Sequence, residues 1–232
     1  MNRSIGKSAI LAAFLGFLLP PVNAQVNLKA GYNISFVSDP GVNQVVETFN
    51  SSQTYISAFN KFSWMHGIEL GFRFKADIHA FEISYQNAYQ LLQAKDELID
   101  GSGTYRDKIR LGIQSGAIGY QVTGDFFGLG TDLQYQWYTT KVDLESATEK
   151  FKHVQNMLAL KFYMMFTLEG SGGIDASLQP YYVLPFDSYN LDPLSIYLNQ
   201  ETGPVGKKWT RFGLSVLSVS YTHLRAHETV LE

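Results

Sequence analysis

Charged residues recur at alternate positions inside otherwise apolar stretches: Glu69, Arg73, Glu82, Arg110, Asp132, Lys161 and Arg211. Alternate positions of a strand share a face, so these groups of both signs stand on one side of a sheet. Their chemistry is ion pairing, because an unpaired charge held out of water is strongly destabilising. Catalytic chemistry has thinner support. Ser63, His66, His153 and Glu149 are the residue types of a nucleophile, a base and an orienting acid, but no spacing motif links them. Asp96, Glu97 and Asp100 offer oxygen ligands beside glycines, yet their spacing departs from the calcium-loop pattern. A solvated loop is the expectation there, and no cofactor or metal is expected.

The elements that must position these charges are strands. Eight stretches of about ten residues alternate apolar and polar side chains with period two. In the first, about 26–37, Leu28, Ala30, Tyr32, Ile34 and Phe36 share one face, and Asn27, Lys29, Gly31, Asn33 and Ser35 share the other. The remaining strands are expected at about 64–75, 80–94, 105–120, 126–142, 153–168, 174–186 and 208–217. In the fourth, Ile109, Leu111 and Ile113 are assigned outward and Lys108, Arg110 and Gln114 inward. Its alternation blurs near Ile118 and Tyr120, where a bulge is expected. The seventh carries Pro180 in mid-strand, which removes a ladder donor and argues against a central position.

Residues 1–24 read as an export signal. Arg3 and Lys7 precede an apolar core from Ala9 to Leu19, and Val22-Asn23-Ala24 form a small-residue cleavage site. That core is about half the ~20 residues of a membrane-spanning helix. Export without any Cys excludes a disulfide scaffold. At the other end, Val219 to Thr229 match one reading frame of a common sequencing adapter, so 219–232 are expected to be a foreign tail. The folded unit is thus expected over 25–218.

Connections after the first, third, fifth and seventh strands are long or polar, while the others are short. Val42, Val45, Val46 and Phe49 recur at helical spacing in the first long connection. Asp192-Pro193 caps a second short helix bearing Leu194, Tyr197 and Leu198. These two apolar faces form either a lid over the barrel mouth or a recognition surface. Trp64, Tyr89, Trp137 and Trp209 cluster toward one rim and Phe74 and Phe127 toward the other, although Trp209 falls on the inward parity.

Strand count, alternation and loop asymmetry make the chain resemble the small eight-stranded outer-membrane barrels, such as the membrane domains of OmpA-type and OmpX-type proteins. The resemblance covers about 25–218 and implies an all-β, antiparallel up-and-down transmembrane barrel in the outer membrane of a Gram-negative bacterium. Alternation alone does not say which face is inside, and a soluble lipid carrier would invert it. The export signal, the short turns on one side and the aromatic girdles favour the membrane form.

A barrel of eight strands is just wide enough for side chains to fill, so the mixed charges imply a plugged lumen. With the second hairpin turning at Asp77-Ile78, Phe74 stands opposite Phe81, Phe72 opposite Ile83, Arg73 opposite Glu82 and Glu69 opposite Gln86. The expected role is non-enzymatic, structural or surface-interacting. Expected partners are outer-membrane lipid and lipopolysaccharide and an extracellular ligand or protein, with no nucleic acid at a net charge of −3. Two other readings stand beside it: a lipid-A or phospholipid modifying enzyme, which the resemblance would place at rim residues such as His66 and His153, and a narrow pore for small solutes.

Overall fold

The structure, a computed structural model, describes residues 25–37, 39–97, 103–145, 147–168, 170, 174–198 and 208–223. Eight antiparallel strands join neighbour to neighbour and close into a barrel. They are β1 (Gln25–Val37), β2 (Trp64–Ala76), β3 (His79–Glu97), β4 (Thr104–Thr123), β5 (Phe127–Asp143), β6 (Phe151–Leu168), β7 (Ile174–Pro185) and β8 (Arg211–His223). Two short helices, α1 (Pro40–Ser52) and α2 (Asp192–Tyr197), lie in the long connections. The proposed export signal lies outside the described residues. Residues 219–223, assigned above to a foreign tail, continue β8 in register with β1 through Gln25 opposite His223.

The β2–β3 hairpin has the expected register, with Phe74 opposite Phe81, Arg73 opposite Glu82 and Glu69 opposite Gln86. Its two-residue turn requires a left-handed backbone at Asp77 (φ 55°), a conformation that Asp tolerates better than most residues. β7 does take a central position despite Pro180. The ladder to β6 is interrupted between the Tyr163–Tyr181 and Phe166–Leu178 pairs, while the ladder to β8 runs on through Pro180 opposite Leu214. The proline therefore costs two pairs of one ladder and leaves the barrel closed.

β4 departs from expectation in two ways. It keeps one unbroken register with both neighbours, so there is no bulge near Ile118 and Tyr120. Its parity is also the reverse of the one assigned: Ile109, Leu111 and Ile113 point inward and are buried, while Lys108, Arg110 and Gln114 are exposed on the outer wall. The cause is a change of surroundings along the barrel. At the end bearing the short turns, Phe72, Leu133, Tyr135 and Phe162 expose 54, 43, 43 and 49% of their surface outward. Charges lie within at that end. At the loop end the pattern inverts, and Met65, Leu92, Ile109, Leu111, Tyr138 and Met157 form an apolar core inside the wall. Assigning faces by polarity alone follows the first half and fails in the second.

Candidate functional site

Glu69 of β2 is the centre of the polar layer. Its Oε1 accepts a hydrogen bond from Lys29 Nζ of β1 at 2.8 Å and another from Lys161 Nζ of β6 at 3.2 Å. Its Oε2 accepts from Ser215 Oγ of β8 at 2.7 Å. Lys29 also pairs with Glu82 of β3, and Lys161 lies 3.8 Å from Asp132 of β5. Six of the eight strands are thereby tied through one buried cluster. Gly119 on β4 leaves the room Asp132 occupies, since a Cβ there would fall 1.9 Å from Asp132 Oδ1. The Lys161 ammonium also sits 4.9 Å from the Tyr181 ring centroid and 5.4 Å from that of Tyr163.

Most of the charges singled out in the sequence face this lumen, with different partners from those expected. Arg73 lies across the hairpin from Glu82 but turns away, donating to Met165 Sδ at 3.1 Å and Gln121 Oε1 at 3.4 Å. Glu82 pairs with Lys29 instead. Lys29 was missing from the charges singled out above, although the alternation of the first strand places it on the polar face. Arg211 is buried on the inner wall of β8. Arg110 does not belong to the lumen: it stands outside, its guanidinium carbon 4.2 Å from the Tyr89 ring centroid.

Above the ions, the long connections fill the mouth. Asp39 caps α1 by accepting from the backbone N–H of Gly41 at 2.8 Å and of Val42 at 3.3 Å. The other carboxylate oxygen accepts from the indole N–H of Trp209, which joins the first connection to the last. Trp209 is therefore no rim aromatic. It is 1% exposed and packs on Phe62, Tyr138 and Tyr189 with centroids 5.1, 5.2 and 4.6 Å away.

Val42, Val45, Val46, Phe49, Leu194 and Leu198 are buried in this same core, with Tyr197 packed at its margin. Their apolar faces are packed into the apolar core at the barrel mouth. Asn43 and Asn50, two helical turns apart, clamp the returning chain with both ends of their amides. Asn43 donates to Phe62 O at 2.9 Å and accepts from Phe62 N at 2.7 Å. Asn50 does the same with Phe59, at 3.0 Å each way. Tyr55 adds a bond to Asp107 Oδ2 at 2.8 Å, and burial followed by that bond holds its phenol above the usual range. Burial pushes the Tyr189 phenol up to about 12, against the opposing hydrogen bond with Thr140.

The residues weighed for catalysis do not converge. His66 lies on the outer wall of β2, bonded through Nδ1 to Tyr32 Oη at 2.6 Å and flanked by Trp64 and Tyr89. Ser63 lines an open cleft beside it, held through its backbone: its N–H donates to Gln90 Oε1 at 3.0 Å and its carbonyl accepts from Val37 N at 3.0 Å. His153 sits on the inner face of β6, across the barrel, beside Tyr189. Glu149 contributes its backbone carbonyl to Tyr197 Oη. Asp100 lies outside the described residues.

No family model and no curated protein matches the sequence. Solved structures do. Ail, the attachment invasion locus protein of Yersinia pestis, in complex with the heparin analogue sucrose octasulfate, matches with a TM-score of 0.51 at 11% identity, covering 85% of this chain and 97% of Ail. Neisserial surface protein A matches with a TM-score of 0.40 at 8% identity, covering 85% and 96%. The likeness to Ail is one of fold. The chain has the architecture of the small eight-stranded outer-membrane barrels.

Proposed function

We propose that this chain is a non-enzymatic protein of the outer membrane of a Gram-negative bacterium, anchored by a sealed barrel that presents its long loops outside the cell. The observation that carries the reading is the inversion of polarity along one continuous wall. Lipid-facing apolar residues surround the ion cluster, while on β3 to β6 polar residues such as Gln93, Lys108, Arg110, Lys141 and Lys152 face outward around the apolar core. Only a barrel half in lipid and half in water has use for both arrangements. The stacked polar and apolar layers speak against a solute pore. The separation of His66 from His153 by the barrel wall and its full width speaks against a lipid-modifying site. Export by residues 1–24 and contact with outer-leaflet lipopolysaccharide belong to the same reading. The heparin analogue bound to Ail makes a sulfated sugar the first soluble ligand class to assay against the loops.

Expression of the full gene in a Gram-negative host tests this. The protein should fractionate with outer membranes and run faster on gels unheated than boiled, as closed barrels resist detergent. Lipid-A composition should be the same with and without it. Recovery as a soluble periplasmic monomer would end the membrane reading, and altered lipid A that depends on His66 or His153 would end the non-enzymatic one.

A further inference from the structure

Three cations stand side by side on the outer wall. Arg110 of β4 is opposite Lys141 of β5, and Lys141 is opposite Lys152 of β6, all three exposed. Beyond them on the same face are Lys108, opposite Gln93, and Arg106, opposite Lys95. Directly opposed like charges on neighbouring strands have Cβ atoms about 5 Å apart and destabilise the pair. The carboxylates on that face are Asp143 and Glu97. Asp143 stands opposite Lys108 on β4 but is engaged by Lys150 at 2.8 Å, and among the described residues no carboxylate lies within 4 Å of the six cations. An uncompensated row of this kind calls for an anion.

The row's position says which anion. Trp137 and Tyr135, in edge contact at 5.0 Å, lie below it on β5, and Leu133, Leu158 and Leu160 lie below them. Lys141 is four residues past Trp137, about 13 Å of strand, or ~10 Å of height at the usual barrel tilt. Long cationic side chains bend back toward the interface by several ångströms, to the depth of lipid head groups. The patch is also one-sided. On β1, β2 and β8 the outward residues include no Lys or Arg up to the loop end, which is marked by Phe36, by Trp64 beside His66, and by Phe212. General attraction to a membrane surface would not select one wall.

We infer that the β4–β6 wall binds a phosphorylated glycolipid of the outer leaflet, with phosphates on Arg110, Lys141 and Lys152 and acyl chains along the apolar residues beneath. The guanidinium of Arg110 is held over Tyr89 at 4.2 Å, leaving its edge free to take a phosphate in bidentate fashion. This inference rests on the outer-membrane reading and deepens it by naming the lipid's recognition chemistry.

The test compares wild type with the triple variant R110Q/K141Q/K152Q, both purified in a phosphate-free detergent. Each is titrated with bisphosphorylated lipid A, with the same lipid stripped of phosphate, with inorganic phosphate and with heparin. Wild type should bind the phosphorylated lipid at least about tenfold more tightly than the stripped one, with strong salt dependence. The triple variant should lose that preference while staying heat-modifiable, and K61Q/K150Q in the loops should keep it. Equal binding of both lipids, or no change in the triple variant, overturns the assignment. Inorganic phosphate bound as tightly as the lipid, or heparin bound more tightly and lost in the variant, also overturns it, in favour of a soluble anion or a sulfated polysaccharide. Heat modifiability separates the two levels: if wild type lacks it, the outer-membrane reading itself has failed.

Discussion

Glu69→Ala should cost on the order of 3–5 kcal/mol, the largest effect of any single substitution in the lumen. The change removes the acceptor shared by Lys29, Lys161 and Ser215 and leaves two ammonium groups in a sealed interior. Glu82 and Asp132 remain, but each lies against only one of the two lysines, and Glu82 Oε2 already lacks a hydrogen-bond partner. Glu69→Gln keeps the shape and part of the hydrogen bonding and should fall between Ala and wild type. Replacing Lys29 and Lys161 by Met, and Glu69 and Asp132 by Leu, should cost clearly less than Glu69→Ala, because equal charge of each sign is removed and Glu82 stays across the hairpin from the buried Arg73. Urea unfolding in lipid vesicles, followed by the unheated gel shift, measures the series. A Glu69→Ala barrel within about 1 kcal/mol of wild type would show that the cluster is solvated and the lumen open.

Trp209→Ala should cost about 3–5 kcal/mol, and the loss should be confined to the mouth. The indole fills the space among Phe62, Tyr138 and Tyr189 and donates to Asp39, so its removal leaves a cavity and breaks the bond that joins the two connections. The lipid-spanning half does not touch it. The variant should therefore remain heat-modifiable while the segment 38–63 becomes open to external protease. Planar-bilayer recordings should stay silent for wild type. Protease resistance equal to that of wild type would mean that the two long connections close the mouth independently of each other.

What the sequence revealed of this fold follows from how local each determinant is. Strand positions, the Asp77–Ile78 turn and the β2–β3 register are written in alternation and turn chemistry, which act within about a dozen residues. The all-antiparallel eight-stranded barrel followed from them. β4 was misassigned because Ile109, Leu111 and Ile113 are equally apolar whether they meet lipid or the plug. The side of the wall depends on height above the membrane, which no single strand records.

The ion partners were hidden for a different reason. Lys29–Glu82 and Lys161–Glu69 join strands that are not neighbours, the second across the full width of the barrel. Nothing in the spacing of one strand encodes such a contact. Lys29 could have been found, since its own strand places it among Asn27, Asn33 and Ser35. Trp209 gave a signal as well: its parity pointed inward, against the expectation of a rim aromatic.

The absence of Cys makes the central claim open to one scan of single Cys substitutions, each carrying a spin label, in lipid vesicles. Labels at 72, 83, 133 and 162 should collide with oxygen dissolved in the bilayer and hardly at all with a water-soluble nickel chelate. Labels at 110, 141 and 152 should show the reverse, and labels at 86 and 134 should meet neither reagent freely. Along β4, position 118 should report lipid and position 110 water, on one unbroken outer face. A barrel that spans a membrane below and stands in water above gives that pattern. Nickel access at 72, 133 and 162 equal to that at 110 would contradict it, leaving a soluble barrel with its apolar face in water.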